Sequence, residues 1–119
     1  MTNRAIPAFA IAAVTGALVW AASPWITGQR EPWDADFPFY LAALLLAGAI
    51  AGGLAPRPLW AHYAGAVTGQ LGYELIFLKI GALFLLGAVF LLGYSLVFLA
   101  AAFAAGRLRL RFTRPRLAD

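Results

Sequence analysis

The sequence contains no cysteine, one histidine and few charged residues: only 12% of its 119 residues are Asp, Glu, Lys or Arg. The absence of cysteine excludes disulfide bonds, thiolate metal sites and cysteine nucleophiles. Soluble domains contain about 25% charged residues, whereas 63% of this chain is hydrophobic and stands in long blocks. This composition predicts a single-domain integral membrane protein.

The chain also lacks the sequence signatures of common catalytic and cofactor sites. It contains no HExxH, GxSxG or CxxCH motif and no glycine-rich phosphate loop with a lysine. We therefore expect no enzymatic activity, no cofactor and no bound metal.

Two metal-binding alternatives remain open. The acids of the first loop could together hold a cation, although such residues more often serve solvation and topology; they are Glu31, Asp34 and Asp36. The single histidine, His62, could ligate a haem or chlorophyll magnesium with a second copy of the chain, although a lone histidine is usually not a ligand.

Apolar blocks predict four membrane-spanning helices, because a crossing needs about 20 mostly apolar residues. The predicted spans cover about residues 5–22, 37–55, 59–78 and 82–105. The last two come from one block that would be about 70 Å long as a single helix, so it must fold back, with the turn expected at Lys79. The predicted fold class is an all-α membrane protein, a compact bundle of four transmembrane helices. The first span is expected to be retained, because its n-region resembles a signal peptide poorly.

Positive charge is concentrated on one predicted side of this bundle. Arg4 precedes the first span, Arg57 lies in the second loop, and residues 106–119 form a basic tail. The tail contains five arginines: Arg107, Arg109, Arg111, Arg114 and Arg116. The opposite side receives Arg30 and Lys79 together with the three loop acids. Because short cytoplasmic loops are enriched in Lys and Arg, both termini are predicted to be cytoplasmic.

The basic tail is interpreted as a membrane-surface segment, because it directly follows a predicted membrane helix. Its five arginines are expected to contact anionic lipid headgroups, and no nucleic acid is expected as a partner. Docking of a cytoplasmic protein is the open alternative, and the sequence does not decide between a helical and an extended tail. The use of one lysine against eight arginines indicates a high-GC bacterium, and so a bacterial inner membrane.

Aromatic residues stand near the ends of the predicted spans, where indole and phenol rings favour the membrane–water interface. Those expected at the outer boundary are Trp20, Trp25, Trp33, Phe37 and Tyr40; those expected at the inner boundary are Trp60 and Tyr63.

Pairs of glycines spaced by four predict close helix packing. Such pairs occur at Gly48 and Gly52 in the second span and at Gly65 and Gly69 in the third. Small residues let helix backbones approach in a membrane, where no hydrophobic force draws helices together. We interpret them as packing surfaces within the chain, with the second helix against the third, and a homo-oligomer interface remains the alternative.

Polar residues of the third span fall on one helical stripe, because residues three or four apart share a face. The stripe contains His62, Gln70, Tyr73 and Glu74. Facing lipid would cost several kcal/mol for an ionised group, so the stripe should face protein or water. Three interpretations remain open. In the first, Glu74 pairs with Lys79 near the outer interface, His62 is solvated at the inner one and only Gln70 lies deep. In the others, the stripe lines a pathway or docks another subunit.

The absence of recognisable chemistry and the small-residue faces favour a non-catalytic role. The leading hypothesis is an accessory or structural subunit of a larger membrane complex. The alternative is a homo-oligomeric channel or small transporter that uses the polar stripe of the third helix.

Overall fold

A computed structural model describes residues 4–36, 38–78, 81–82 and 84–113. Its described residues form four α-helices: α1 (Ala5–Thr27), α2 (Phe39–Leu54), α3 (Leu59–Phe77) and α4 (Phe84–Thr113). A short 3₁₀ turn, Pro32–Asp34, lies between α1 and α2, and the described part of the chain contains no strand. The prediction of a compact all-helical chain with four helices is confirmed.

The first helix continues one turn beyond its predicted end at residue 22. It runs through Pro24 to Thr27 and ends at Gly28, whose φ of 82° is left-handed and whose N–H bonds the Pro24 carbonyl. Only glycine adopts this conformation without a steric cost from Cβ. The Ser23 hydroxyl adds a hydrogen bond of 2.6 Å to the carbonyl of Gln29. The chain therefore turns sharply at the end of α1, which shortens the first connection.

The second and third helices are separated by a tight turn rich in proline. Residues 55–58 lie outside both helices, and the Arg57–Pro58 peptide bond is cis. The open carbonyls at the end of α2 are capped from a distant part of the chain. Arg109 Nη1 donates to the carbonyls of Gly53 and Leu54 at 2.7 and 3.0 Å, as basic side chains do at helix C-termini.

The fourth helix does not stop at residue 105, where the predicted basic tail was expected to begin. It continues to Thr113, so Arg107, Arg109 and Arg111 are helical residues. Arg114 and Arg116 lie outside the described residues, as do Phe37 and the expected turn residue Lys79.

The helices follow the order α1, α3, α4, α2 around the bundle. The most extensive contacts join α1 to α3 and α2 to α4, and smaller contacts join α1 to α2 and α3 to α4. The expectation that the second helix packs on the third is wrong, because α2 and α3 lie on a diagonal and barely touch. Each glycine pair instead meets a helix that runs in the same direction as its own.

The glycine pairs sit directly on the backbone of these partners. A Cβ at Gly65 or Gly69 would overlap the carbonyl oxygens of Phe9 and Ala13 in α1. A Cβ at Gly48 or Gly52 would overlap the carbonyls of Phe98 and Ala102 in α4. Both members of each contact advance by four residues, which makes the paired helices parallel. The closest helix contacts therefore join α1 to α3 and α2 to α4, and do not join helices that are consecutive in the sequence.

The outer surface of the bundle is apolar on every helix. Large side chains more than half exposed include Leu18 on α1, Leu46 on α2, Ile76 on α3 and Leu85 on α4. In the described ranges, two helices are long and apolar enough to cross a membrane, α1 and α4 through Phe112. The shorter α2 has 16 residues and is apolar as well, whereas α3 carries the polar stripe.

Candidate functional site: a buried polar network and an acidic cleft

Gln70 stands near the middle of α3 and is the centre of a buried hydrogen-bond network. Its Oε1 accepts the indole N–H of Trp20 at 2.9 Å and the hydroxyl of Tyr40 at 2.6 Å. Its Nε2 donates to the Ser95 hydroxyl at 3.0 Å and to the Ala66 carbonyl at 3.1 Å. The glutamine side chain is fully buried. Its partners come from α1, α2, α4 and its own helix, so one amide joins all four helices.

All hydrogen-bonding groups of the Gln70 side-chain amide have partners. A primary amide has two donor hydrogens and two acceptor lone pairs, and Gln70 places all four in hydrogen bonds. Satisfied buried networks fix one arrangement of the surrounding elements, because each displaced member would leave a desolvated polar group behind. The network therefore specifies which faces of the four helices meet.

Two members of the network were assigned elsewhere by sequence reasoning. Trp20 and Tyr40 were expected among the aromatic residues of the outer boundary, but they are 0% and 5% exposed and serve as donors to Gln70. A signal for Trp20 was available, because Ala8, Ala12 and Gly16 precede it at spacings of four and are also buried. Trp25 and Trp60, by contrast, are 90% and 64% exposed.

An aromatic cluster covers the network on the side of the first connection. The rings of Trp20 and Trp33 meet edge to face with centroids 4.9 Å apart, and the rings of Tyr40 and Tyr94 lie 4.5 Å apart. Trp33 also lies across Gly87 of α4, where a Cβ would be in ordinary contact with the indole. Edge-to-face pairs of this kind add stability beyond their buried area. The cluster holds the 3₁₀ turn against α1, α2 and α4.

The other stripe residues do not form a continuous polar chain with Gln70. His62 is fully buried, and its Nε2 donates to the Ala55 carbonyl at the end of α2, while Nδ1 has no partner. The expectation of a solvated His62 is therefore wrong. Its ring ties the start of α3 to the preceding turn. Tyr73 is half-buried, and its ring packs 4.7 Å from that of Phe77.

Glu74 is buried without a partner for one of its oxygens. The residue is 4% exposed, and Oε1 makes no hydrogen bond. The expected partner, Lys79, lies outside the described residues. The carboxyl group lines a cleft of about 530 Å³ between α3, α4 and the 3₁₀ turn. Two further acids, Glu31 and Asp34, line the same cleft.

The loop acids divide into two groups. Glu31 and Asp34 face the cleft, and Glu31 Oε1 accepts the indole N–H of Trp33 at 3.1 Å. Asp36 is exposed and does not line it. Within the described ranges, no three His, Asp or Glu side chains are placed to hold a metal ion. The acidic end of the bundle therefore presents a wide cleft with charged walls.

Arginines gather at the opposite end of the bundle. Arg4, Arg57 and Arg109 line one cavity of about 390 Å³ beside the α2–α3 turn. Arg107 lies outside this cavity, with its guanidinium 5.5 Å from the centroid of the Phe103 ring. The exposed Arg111 completes the set of tail arginines that the structure describes. The two ends of the bundle thus carry opposite charge.

No protein-family model, no curated protein and no solved structure matches this chain.

Proposed function

We propose that the four helices cross a bacterial inner membrane as a self-contained bundle. The support is the distribution of polarity, since the exterior is apolar while Gln70, His62 and Glu74 are buried. In the most apolar windows of α1 and α4, only 28% and 22% of the residues are buried. The core helices of a soluble protein would be mostly buried, and large exposed apolar surfaces are rare on soluble monomers. A lipid environment accounts for this exterior.

The proposed orientation places the arginine end in the cytoplasm and the acidic cleft outside. Arg4, Arg57 and the arginines of α4 then follow the enrichment of cations in cytoplasmic segments. The 30 residues of α4 extend over about 45 Å, which exceeds the hydrocarbon thickness of about 30 Å. The last turns of α4, with their arginines, therefore project into the cytoplasmic headgroup region.

The function that this geometry supports best is that of a non-catalytic structural or accessory subunit of a larger membrane complex. The fully bonded Gln70 amide is the observation that carries it. All hydrogen-bonding groups of the Gln70 side chain are used inside the bundle. Glycine contacts hold α1 against α3 and α2 against α4. A side chain that holds four helices together serves assembly, and the apolar exterior is then available to lipids and partner subunits.

Two experiments test this proposal. A reporter that is active only in the cytoplasm, fused after Asp119, should be active, and one fused within 28–31 should be silent; the reverse pattern contradicts the orientation. Purification at native expression in a mild detergent, followed by native mass spectrometry, tests the accessory role. A defined complex with larger unlike subunits is expected, whereas a pure homo-oligomer contradicts it.

A second candidate, a small transporter that acts as a homo-oligomer, is favoured by one specific observation. Glu74 combines burial, an unpartnered oxygen and a position in the cleft, and buried acids in membrane helices often serve ion or proton pathways. Flux of protons and cations into liposomes containing the wild type, and its loss in Glu74→Gln, would favour this candidate. Equal flux in empty liposomes would exclude it.

A further inference from the structure

Glu74 places a carboxyl group inside the bundle at an electrostatic cost. The residue is 4% exposed, its Oε1 has no hydrogen-bond donor, and the residue lines an open cleft. Burying an ionised carboxylate without a partner costs several kcal/mol. A ligand that brings positive charge to this oxygen would remove that cost. The burial of Glu74 therefore favours a cationic occupant over an anionic or purely apolar one.

The walls of the cleft have the two features by which proteins recognise organic cations. Glu31 and Asp34 supply further negative charge, and Trp33, Phe90 and Tyr94 supply aromatic surface. The negative face of an aromatic ring attracts a cation, most strongly when water is displaced. Trp33 is held by its hydrogen bond to Glu31 and by its contact with Trp20, so this wall is in place before a ligand binds.

The size of the cleft indicates the kind of cation. Its volume of about 530 Å³ lies within the range of about 300–1,000 Å³ typical of small-molecule sites. The described acids do not converge on one point as metal ligands do. A spread of three carboxylates around an aromatic cavity suits a large ion with diffuse charge. Quaternary ammonium groups have this character and are recognised by aromatic cages.

We propose that the cleft between α3, α4 and the 3₁₀ turn is a binding site for a monovalent organic cation of the quaternary ammonium class. Glu74 neutralises the charge at the base of the site. Glu31 and Asp34 attract the cation at its opening, and the aromatic residues contact its apolar groups. The site does not depend on the accessory role, since that role rests on the Gln70 network.

The proposal is tested by calorimetric titration of the full-length protein in nanodiscs of zwitterionic lipid. The probe is phenyltrimethylammonium, and the control ligand is tert-butylbenzene, which has the same shape with an uncharged carbon in place of the nitrogen. We expect saturable binding of the cation and at least tenfold weaker binding of the neutral analogue. Equal binding of the two would overturn the proposal, because it would show a merely apolar cavity.

Variants identify the group that recognises the charge. Glu74→Gln preserves the shape and removes the charge, so the affinity should fall about thirtyfold or more, as for other buried charge pairs. Asp36→Asn removes one charge from the same loop outside the cleft and should change the affinity less than about twofold. An unchanged affinity in Glu74→Gln, or an equal loss in Asp36→Asn, would overturn the assignment.

A second variant keeps the test decisive if Glu74→Gln fails to fold. Glu31 and Asp34 lie on the connection and make no contact with the Gln70 amide, so Glu31→Gln/Asp34→Asn should retain the bundle. Loss of these two partly exposed charges should weaken binding about fivefold. Unaltered binding in a folded double variant would contradict the site. A failure here leaves the proposed accessory role unaffected, because the complex and the topology are measured separately.

Discussion

The indole N–H of Trp20 donates a hydrogen bond to the side-chain oxygen of Gln70, 50 residues later in the chain. The two residues belong to parallel helices whose backbones are brought together by Gly65 and Gly69. The same oxygen accepts the hydroxyl of Tyr40. Glycine contacts and a buried amide thus act on the same interface, one by permitting close approach and the other by fixing its register.

Replacing Gln70 by leucine should destabilise the bundle rather than merely remove a polar lining. Gln70→Leu would leave the buried donors of Trp20 and Tyr40 without their acceptor. Three lost interhelical bonds correspond to about 2 kcal/mol in a membrane protein. Unfolding in mixed dodecyl sulfate micelles, followed by circular dichroism, measures the change. Thr15→Val is the control, since the Thr15 hydroxyl bonds carbonyls of its own helix; an equal effect of the two changes would contradict a role for the network.

Two glycines of α3 should respond oppositely to alanine. Gly69→Ala would press a methyl group onto the Ala13 carbonyl and should cost about 1–3 kcal/mol, as overpacking does. Gly72→Ala meets nothing within 4 Å and should be neutral or stabilise the helix by up to about 1 kcal/mol. The free energy of unfolding of each variant distinguishes them. A loss in Gly72→Ala as large as that in Gly69→Ala would contradict the open surroundings of Gly72.

Adjacent glycines of α2 offer a still closer comparison. Gly52 lies against the Ala102 backbone of α4, while nothing lies within 4 Å of the Cβ position of Gly53. Gly52→Ala should therefore lower the thermal midpoint of unfolding, and Gly53→Ala should not. The two variants have the same composition, so detergent binding and charge are matched. A lower midpoint for Gly53→Ala alone would indicate that α2 turns its other face toward α4.

The arginine cavity should determine contact with anionic lipid. Arg4→Gln and Arg57→Gln each remove one cation from its lining, and each cation contributes about 1 kcal/mol near an anionic surface. We expect each change to lower retention of phosphatidylglycerol about fivefold in native mass spectrometry. Arg30→Gln, outside this cavity in the first connection, is the matched control. Loss of lipid only in Arg30→Gln would place the anionic surface at the other end.

The number of helices and their approximate positions follow from local patterns in the sequence. Blocks of apolar residues, the prolines at positions 56 and 58 and the length of the last apolar block predict helix number and approximate bounds, because these are local properties of the chain. The basic segment of α4 shows the limit of such reasoning. Its arginines predicted a tail that begins at residue 106. In the structure α4 continues to Thr113, and Arg109 on this helix caps the carbonyls at the end of α2.

The neighbours of each helix and the contacts of the polar stripe depend on long-range packing and could not be predicted from the sequence. The periodicity of α3 placed His62, Gln70 and Glu74 on one stripe, but it could not say that Gln70 meets Trp20 and Tyr40 while Glu74 faces a cleft. Glycine spacing predicts a surface suited to close helix contact, but it does not predict which helix lies against that surface. Pairing depends on interactions between residues tens of positions apart, and one helix period is compatible with several partners. Two physical constraints select the observed helix pairing. The backbone carbonyl groups of α1 and α4 leave no room for a Cβ at the facing glycines, and the Gln70 amide makes four hydrogen bonds at once.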